Sequence, residues 1–123
     1  MLDLAYLLID LSIKTLCVQV YAHDTPIDCY PVSVGKPSTP TPTGVFTIER
    51  WIENPIYIGN DPNILGKYAL ILDTKSKEGL PIAIHGSKDK EFQLEVSGGC
   101  IRIKDTYIED ILQYNIKYVE IKR

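Results

Sequence analysis

Residues 30–48 read YPVSVGKPSTPTPTGVFTI and place a proline-rich loop between two segments of alternating polarity. Pro37, Pro40 and Pro42 fix backbone angles and remove amide donors, so the segment around them cannot form a central strand. The flanking segments alternate apolar and polar residues, which is the period of a half-buried β-strand. This stretch therefore predicts two strands joined by a stiff, ordered loop, and a mostly β fold.

The same alternation extends outward in both directions. Residues 5–22 predict two strands around the turn-like DLSIK, and TLCVQVY and DCYPVSV predict an antiparallel pair. KYALILD, IAIHG and KYVEIK predict three further strands. We therefore expect one mainly β domain over residues 1–123, an antiparallel β-sandwich or a barrel-like meander with one short helix near the C-terminus.

That helix is predicted in TYIEDILQYN. Thr106 followed by Glu109 has the spacing of a capping box, in which the threonine would cap the first turn. Ile108, Ile111 and Leu112 then fall on one helical face. Residues 86–99, which are polar and have no clear period, predict a surface loop that folds back.

Composition excludes several classes of function. The 13 Lys and Arg residues against 16 Asp and Glu residues give a net charge of −3 with no basic cluster, so we expect no nucleic-acid partner. The apolar runs are too short for a membrane-spanning helix. The N-terminal MLDLAYLLIDLSIK shows no export signal.

The three cysteines do not form a disulfide framework or a metal motif. Cys17 and Cys29 lie on one predicted hairpin, which is compatible with a cross-strand disulfide, but two buried free thiols are the favoured expectation. No ligand spacing connects the cysteines with His23, a polar-turn residue expected to be exposed, or with His85. We therefore expect no metal and no cofactor.

Cys100 is the candidate nucleophile. A thiol with an ordinary pKa is mostly protonated at pH 7, so it needs a base, and His85 at the end of a predicted strand is the candidate. Gly98 and Gly99 carry no side chains, which allows a substrate carbonyl to approach and backbone amides to face an oxyanion. Arg102 could bind a substrate carboxylate.

Each of these residues also has a purely structural interpretation. Cys100 could be a buried core residue, His85 could be a satisfied strand-end side chain, and the glycines could form a plain turn. Arg102 could pair on the surface with Asp105 or Glu109. The residues taken one by one leave both interpretations open.

The chain as a whole resembles the L,D-transpeptidase catalytic domain of the YkuD type. Its HGSKDKEFQLEVSGGCIR, residues 85–102, resembles the family's His-Gly followed at a distance by Ser-His-Gly-Cys, an apolar residue and Arg or Asn. Residues 30–48 resemble the family's signature strand and Pro/Thr-rich loop, and LLIDLSIKTLCVQV resembles its opening hairpin. One position departs from the pattern, because Gly98 stands where the family usually has a second histidine.

The resemblance implies a β-sandwich-like enzyme that acts on peptidoglycan stem peptides in the periplasm or cell wall and is a carbapenem target. Because no export signal is visible, two alternatives stay open: the sequence is that of a mature or trimmed protein, or the domain is cytoplasmic and acts on soluble peptidoglycan fragments. Cys100 would attack the carbonyl between the diamino acid and the terminal D-alanine of a tetrapeptide stem. D-Alanine would leave, and an amine of a second stem would resolve the thioester into a 3→3 cross-link. Two alternatives remain: an L,D-carboxypeptidase or amide hydrolase using the same residues, and a non-catalytic wall-binding module, which Gly98 would favour.

The resemblance also implies roles residue by residue. His85 would be the general base, the carbonyl of Gly86 would orient its imidazole, and the amides of Gly99 and Cys100 would face the oxyanion. Three further positions would form the substrate pocket: Ser97, Arg102 and Tyr68.

Overall fold

A computed structural model of the protein describes residues 5–21, 25–55 and 65–123. These residues contain nine strands and one helix. In chain order they are β1 (Ala5–Asp10), β2 (Thr15–Val20), β3 (Asp28–Gly35), β4 (Gly44–Glu53), β5 (Tyr68–Lys75), β6 (Pro81–Ser87), β7 (Glu95–Ser97), β8 (Ile101–Lys104), α1 (Asp105–Ile111) and β9 (Tyr118–Lys122). The predicted mainly β fold with a short helix near the C-terminus is confirmed.

The strands form a closed, barrel-like sheet. Their order is β2-β1-β9-β4-β5-β6-β8-β3-β7, and β2 also pairs with β3, so eight strands complete a ring to which β7 is added at β3. Most pairs are antiparallel, but β1–β9, β6–β8 and β3–β7 are parallel. The sequence did not predict β7, because three residues are too short to show a period.

The inward faces of the strands and one face of α1 form a single core. In β1, Ala5, Leu7 and Ile9 are buried and alternate with half-buried residues, as the sequence pattern predicts. Strand β6 differs, because every residue after its first is buried. His85 therefore lies on a strand that is covered on both faces.

The start of α1 differs from the predicted capping box. Lys104 occupies the N-cap position, no side chain caps the first turn, and Thr106 lies inside the helix. The chain enters the helix directly from β8, so no separate turn exists in which Thr106 could cap. A side-chain oxygen of Asp105 instead accepts a hydrogen bond from the backbone N–H of Lys67 at 3.0 Å.

The expectation of two buried free thiols at Cys17 and Cys29 is wrong. The two residues lie directly opposite each other on β2 and β3, with 4.0 Å between their Cα atoms, and form a disulfide. Leu16 and Val18 point into the core, so the alternation of β2 turns Cys17 outward to meet the exposed Cys29. The residue type of cysteine alone suggested buried thiols, whereas the register of β2 against β3 decides that Cys17 and Cys29 pair with each other.

The described residues contain neither a metal-binding cluster nor a membrane-spanning helix. No group of three or more His, Cys, Asp or Glu side chains is assembled there in an arrangement that could hold a metal ion, and His23 lies outside the described residues. No helix in this part of the chain has the length and apolarity needed to cross a membrane.

Candidate active site

Cys100 and His85 line the same cavity, although fifteen residues separate them in the sequence. Cys100 directly precedes β8 and His85 lies on β6, and these two strands are parallel neighbours with Ile84 paired to Ile101. The cavity, here called the Cys100 cavity, has a volume of about 400 Å³. Its walls include an apolar side containing Leu80. The pairing of β6 with β8 thus brings the predicted base and thiol to one site.

The imidazole of His85 is held in one tautomer by its own neighbour. Its Nδ1 lies 2.8 Å from the carbonyl oxygen of Gly86, and because a carbonyl only accepts, Nδ1 carries the hydrogen and Nε2 keeps a lone pair. Burial lowers the pKa of His85 from its ordinary value, with the charge of Arg102 acting in the same direction against the Gly86 hydrogen bond. The ring is therefore neutral near pH 7 and offers Nε2 as a base.

The first residue of α1 packs against Gly86. A Cβ atom built on Gly86 would collide with the Oδ1 atom of Asp105, which also accepts the Lys67 N–H. Asp105 thus requires glycine at position 86, and Gly86 in turn supplies the carbonyl that holds His85. Sequence reasoning assigned Asp105 only a surface role.

The thiol of Cys100 lies against the backbone of β6. Its Sγ atom is 3.4 Å from the N–H of Ala83, which donates to it, and 3.9 Å from the carbonyl oxygen of Pro81. Burial raises the pKa of Cys100, while the Ala83 hydrogen bond and the charge of Arg102 lower it. The resting thiol is protonated, and the same N–H would stabilise a thiolate once the proton is removed.

Ser97 holds the turn at residues 97–100, here called the Cys100 turn. Its hydroxyl donates to the Cys100 carbonyl oxygen at 2.6 Å and accepts the N–H of Gly99 at 3.1 Å. The Gly99 amide is therefore already bonded, which differs from the expectation that it faces an oxyanion. The amide of Cys100 is the other predicted donor.

The Pro/Thr loop, residues 36–43, is bonded to the Cys100 turn. Thr41 Oγ1 donates to the carbonyl oxygen of Gly99 at 2.8 Å and accepts the N–H of Gly35 at 3.0 Å. Thr39 Oγ1 donates to the carbonyl oxygen of Ser97 at 2.8 Å. Sequence reasoning singled out the stiffness of the loop but not these hydroxyls. The sequence did contain a signal for these bonds, because a threonine between prolines holds its hydroxyl on a rigid backbone, where it can form hydrogen bonds.

Arg102 lines the Cys100 cavity but does not pair as the surface interpretation proposed. One of its terminal nitrogens lies 3.3 Å from a carboxylate oxygen of Asp89, which precedes it by thirteen residues, rather than from Asp105 or Glu109. Its Nε atom is buried and has no hydrogen-bond partner in the described part of the chain. Glu109 pairs with Lys67 instead.

Comparison with known families assigns the chain to one of them. The family model described as the L,D-transpeptidase catalytic domain matches residues 5–117. The chain belongs to the L,D-transpeptidase catalytic domain family.

Individual relatives of this L,D-transpeptidase domain agree with the assignment. "Putative L,D-transpeptidase YqjB" of Bacillus subtilis (strain 168) is 33% identical over 91 residues, which cover 68% of this chain and 52% of the relative. The chain therefore spans about half the length of the curated relative that it matches.

Solved structures share the fold at lower identity. The catalytic domain of the Enterococcus faecium L,D-transpeptidase, solved by NMR, is 21% identical with a TM-score of 0.73, and the match covers 98% of both chains. The structure of Bdellovibrio bacteriovorus Bd1075 is 19% identical with a TM-score of 0.74, over 97% of this chain and 47% of that one.

Tyr68, whose side chain was predicted to line the substrate pocket, does not belong to the described lining of the Cys100 cavity. It lines a separate cleft, where its ring centroid lies 6.0 Å from that of Trp51. Ala69, the next residue, pairs with His85, so Tyr68 is near in sequence to the site but points elsewhere. Tyr68 is absent from the described lining of the Cys100 cavity, and its role in the substrate pocket stays a prediction.

Gly98, where this member of the family departs from the family motif, leaves open space in the Cys100 cavity. A Cβ atom built there would meet nothing within 4 Å. Gly99 is different, because its φ of +129° lies in a region that favours glycine and a Cβ would come within 2.9 Å of Ile82. The backbone needs glycine at position 99 and does not need it at position 98.

Proposed function

We propose that this domain is a cysteine-dependent L,D-transpeptidase that acts on peptidoglycan tetrapeptide stems. One observation carries the proposal: the half-buried Cys100 thiol and a neutral His85, whose Nδ1 is fixed on the Gly86 carbonyl, line one cavity. A thiol and a base held by a third group are the arrangement used in nucleophilic catalysis. The family assignment supports the same reaction class.

Acylation follows from the protonation states. The Nε2 atom of His85 takes the proton of the Cys100 thiol, and the thiolate attacks the carbonyl carbon between the diamino acid and D-alanine. The Cys100 amide donates to the oxyanion. The imidazolium then protonates the departing nitrogen, so that D-alanine leaves as an amine and a thioester remains on Cys100.

Deacylation transfers the acyl group to an acceptor. An amine of a second stem attacks the thioester, His85 removes the surplus proton, and the restored thiol closes the cycle with a 3→3 cross-link. Water in place of the amine would give an L,D-carboxypeptidase. The open space at Gly98 favours keeping this second candidate, because nothing within 4 Å of a Cβ there restricts access.

Arg102 would bind the carboxylate of the terminal D-alanine. Its partly exposed side chain lines the cavity, and one terminal nitrogen is paired with Asp89 in the described residues, so the guanidinium group keeps a further donor for a carboxylate. Ser97 would act indirectly, because both of its hydrogen bonds go to the backbone of the Cys100 turn.

The site of action would lie outside the cytoplasm, in the periplasm or cell wall. The disulfide between Cys17 and Cys29 supports this, since disulfides persist mainly in oxidising compartments. That residues 1–123 form one catalytic domain remains a prediction.

Intact-mass analysis after incubation with a tetrapeptide stem tests the proposed function. We expect the wild-type mass to increase by that of the stem minus D-alanine, Cys100→Ala to show no adduct, and a carbapenem to add to the wild type alone. A stem that binds without loss of D-alanine would indicate the wall-binding module. Release of D-alanine with a tripeptide product and no cross-link would indicate the carboxypeptidase.

A further inference from the structure

A second cavity, of about 550 Å³, opens between the paired strands β4 and β5 and the end of α1. We call it the aromatic cleft, and its aromatic walls are Trp51, Tyr68 and Tyr114. It shares no lining residue with the Cys100 cavity. Leu70 lines the aromatic cleft and Ile71 lines the Cys100 cavity, so the two sites lie on opposite faces of β5.

The aromatic cleft places a carboxylate beside two aromatic rings. The rings of Trp51 and Tyr68 have centroids 6.0 Å apart and are inclined at 53°, so they form a corner rather than a stack. Glu53 lies directly opposite Tyr68 in the β4–β5 register, at the distance where cross-strand side chains interact. Trp51 is 55% exposed, so its ring is accessible to a ligand.

The charges of the cleft favour a cation. Two carboxylates line it, Glu53 and Glu109, and Glu109 is paired with Lys67 at 3.2 Å. Glu53 has no ion pair within the described part of the chain, and the cleft's described lining contains no Lys, Arg or His. A cation over aromatic faces and beside a carboxylate is attracted by the ring quadrupoles and by the charge. An anionic ligand would be repelled.

We propose that the aromatic cleft binds a primary alkylammonium group, supplied by the diamino-acid side chain of a peptidoglycan stem other than the one at Cys100. The source of the ligand rests on the proposed function, whereas the ammonium chemistry rests on the cleft. Leu70 and Ile116 supply apolar surface for the methylenes of such a side chain. Because the cleft faces away from Cys100, the bound amine is not the acceptor and instead holds the polymer on the domain.

Trp51 is the single tryptophan of the chain, so its fluorescence reports directly on the cleft. The probe is Nα-acetyl-lysine N-methylamide, titrated at constant ionic strength, with its Nε-acetylated form as the neutral comparison. We expect a saturable change in emission with the ammonium form and binding at least tenfold weaker with the acetylated form.

Two variants locate the ammonium. Glu53→Gln should weaken binding of the probe about tenfold, since it removes the unpaired charge and keeps the size. Glu49→Gln, on the same strand but outside the cleft, should leave binding unchanged. Four outcomes would overturn the proposal. The neutral form could bind as tightly as the ammonium form, Glu53→Gln could bind the probe as tightly as the wild type, N-acetylglucosamine could bind saturably where the ammonium does not, or Trp51 emission could show no response.

A sedimentation assay with insoluble peptidoglycan tests the source of the amine. Cys100→Ala should co-sediment, and both the added Glu53→Gln change and chemical acetylation of the wall amines should reduce the bound fraction severalfold. A bound fraction that stays the same after both changes would overturn the assignment to wall amines. The two proposals can fail separately. D-Alanine release without a Trp51 response would reject ammonium binding in the aromatic cleft, and a Trp51 response without D-alanine release would reject the transpeptidase reaction.

Discussion

Gly98 and Gly99 are adjacent in the sequence but are constrained differently. The positive φ of Gly99 and the 2.9 Å approach of Ile82 tie this position to glycine, whereas Gly98 faces open space. We expect Gly99→Ala to lower the free energy of unfolding by about 1–3 kcal/mol, the usual cost of a strained backbone position. Thermal unfolding would show this as a midpoint lower by several degrees.

Gly98→Ala is the matched control for that substitution, and Gly98→His restores the residue usual in the family motif. Both should keep the wild-type midpoint, because neither requires an unusual φ and neither side chain meets an obstacle at its Cβ. Equal losses at positions 98 and 99 would contradict the assignment of backbone strain to Gly99.

His85 makes the stability of the domain depend on pH. Its pKa in the folded state is lowered by burial, so the unfolded state, with a pKa of about 6.5, binds the proton more readily. The contribution of His85 to the free energy of unfolding is therefore fully present above pH 6.5 and is lost as the pH falls towards the pKa of the folded state. For one proton, the free energy changes by at most about 1.4 kcal/mol per pH unit.

Urea unfolding of the wild type and of His85→Gln at several pH values between 7.5 and 5 measures this contribution. The variant cannot bind the proton, so we expect its free energy of unfolding to fall less steeply below pH 6.5. The carboxylates titrate in both proteins and cancel in the comparison. Parallel curves would show that His85 is not buried in its neutral form.

At the scale of the elements, the Pro/Thr loop positions the Cys100 turn. The hydroxyl of Thr41 is buried and joins Gly99 to Gly35, so Thr41→Val keeps the shape and leaves two backbone groups unpaired. The expected loss in free energy of unfolding is about 1–3 kcal/mol. Urea unfolding measures it, and Thr43→Val, which changes an exposed threonine of the same loop, should change stability by less than about 0.5 kcal/mol. Similar losses in both variants would contradict the role of Thr41.

The elements were largely predictable from the sequence because their cause is local. Alternation in β1 and the prolines of residues 36–43 fix a strand and a loop without reference to the rest of the chain. The start of α1 was not predictable, because the bond from Lys67 to Asp105 joins residues 38 positions apart and makes a threonine cap unnecessary.

The site was predictable in part for the same reason. His85 and Gly86 are neighbours in the sequence, so their contact is local. The resemblance of residues 85–102 to a family motif predicted it. The pairs of Arg102 with Asp89 and of Thr41 with Gly99 depend on how β6, β8 and the loop meet in three dimensions. The face of β5 that Tyr68 occupies follows from the pairing of its neighbour Ala69 with His85, which its sequence position does not reveal.

At the scale of the whole molecule, closure of the ring depends on the pairing of β2 with β3. In the sheet, β9 lies between β1 and β4, and β8 lies between β6 and β3. Several strand pairs therefore join residues that are distant in the sequence, and we call the β2–β3 pair that closes the ring its seam. Opening the β2–β3 seam would expose two strand edges, which are sites of aggregation in β proteins. The disulfide between Cys17 and Cys29 lies on this seam.

The disulfide should therefore stabilise the closed ring mainly by restricting the unfolded chain. With a sequence separation of 12 residues, the loop-closure relation gives about 3 kcal/mol. Reducing the wild type, or making the double variant Cys17→Ser and Cys29→Ser, should lower the free energy of unfolding in urea by that amount. Adding reductant to the double variant should change nothing, because Cys100 is a free thiol. If reductant leaves the wild-type midpoint unchanged, the seam is held by strand pairing alone, and the cross-link adds nothing to the closed barrel.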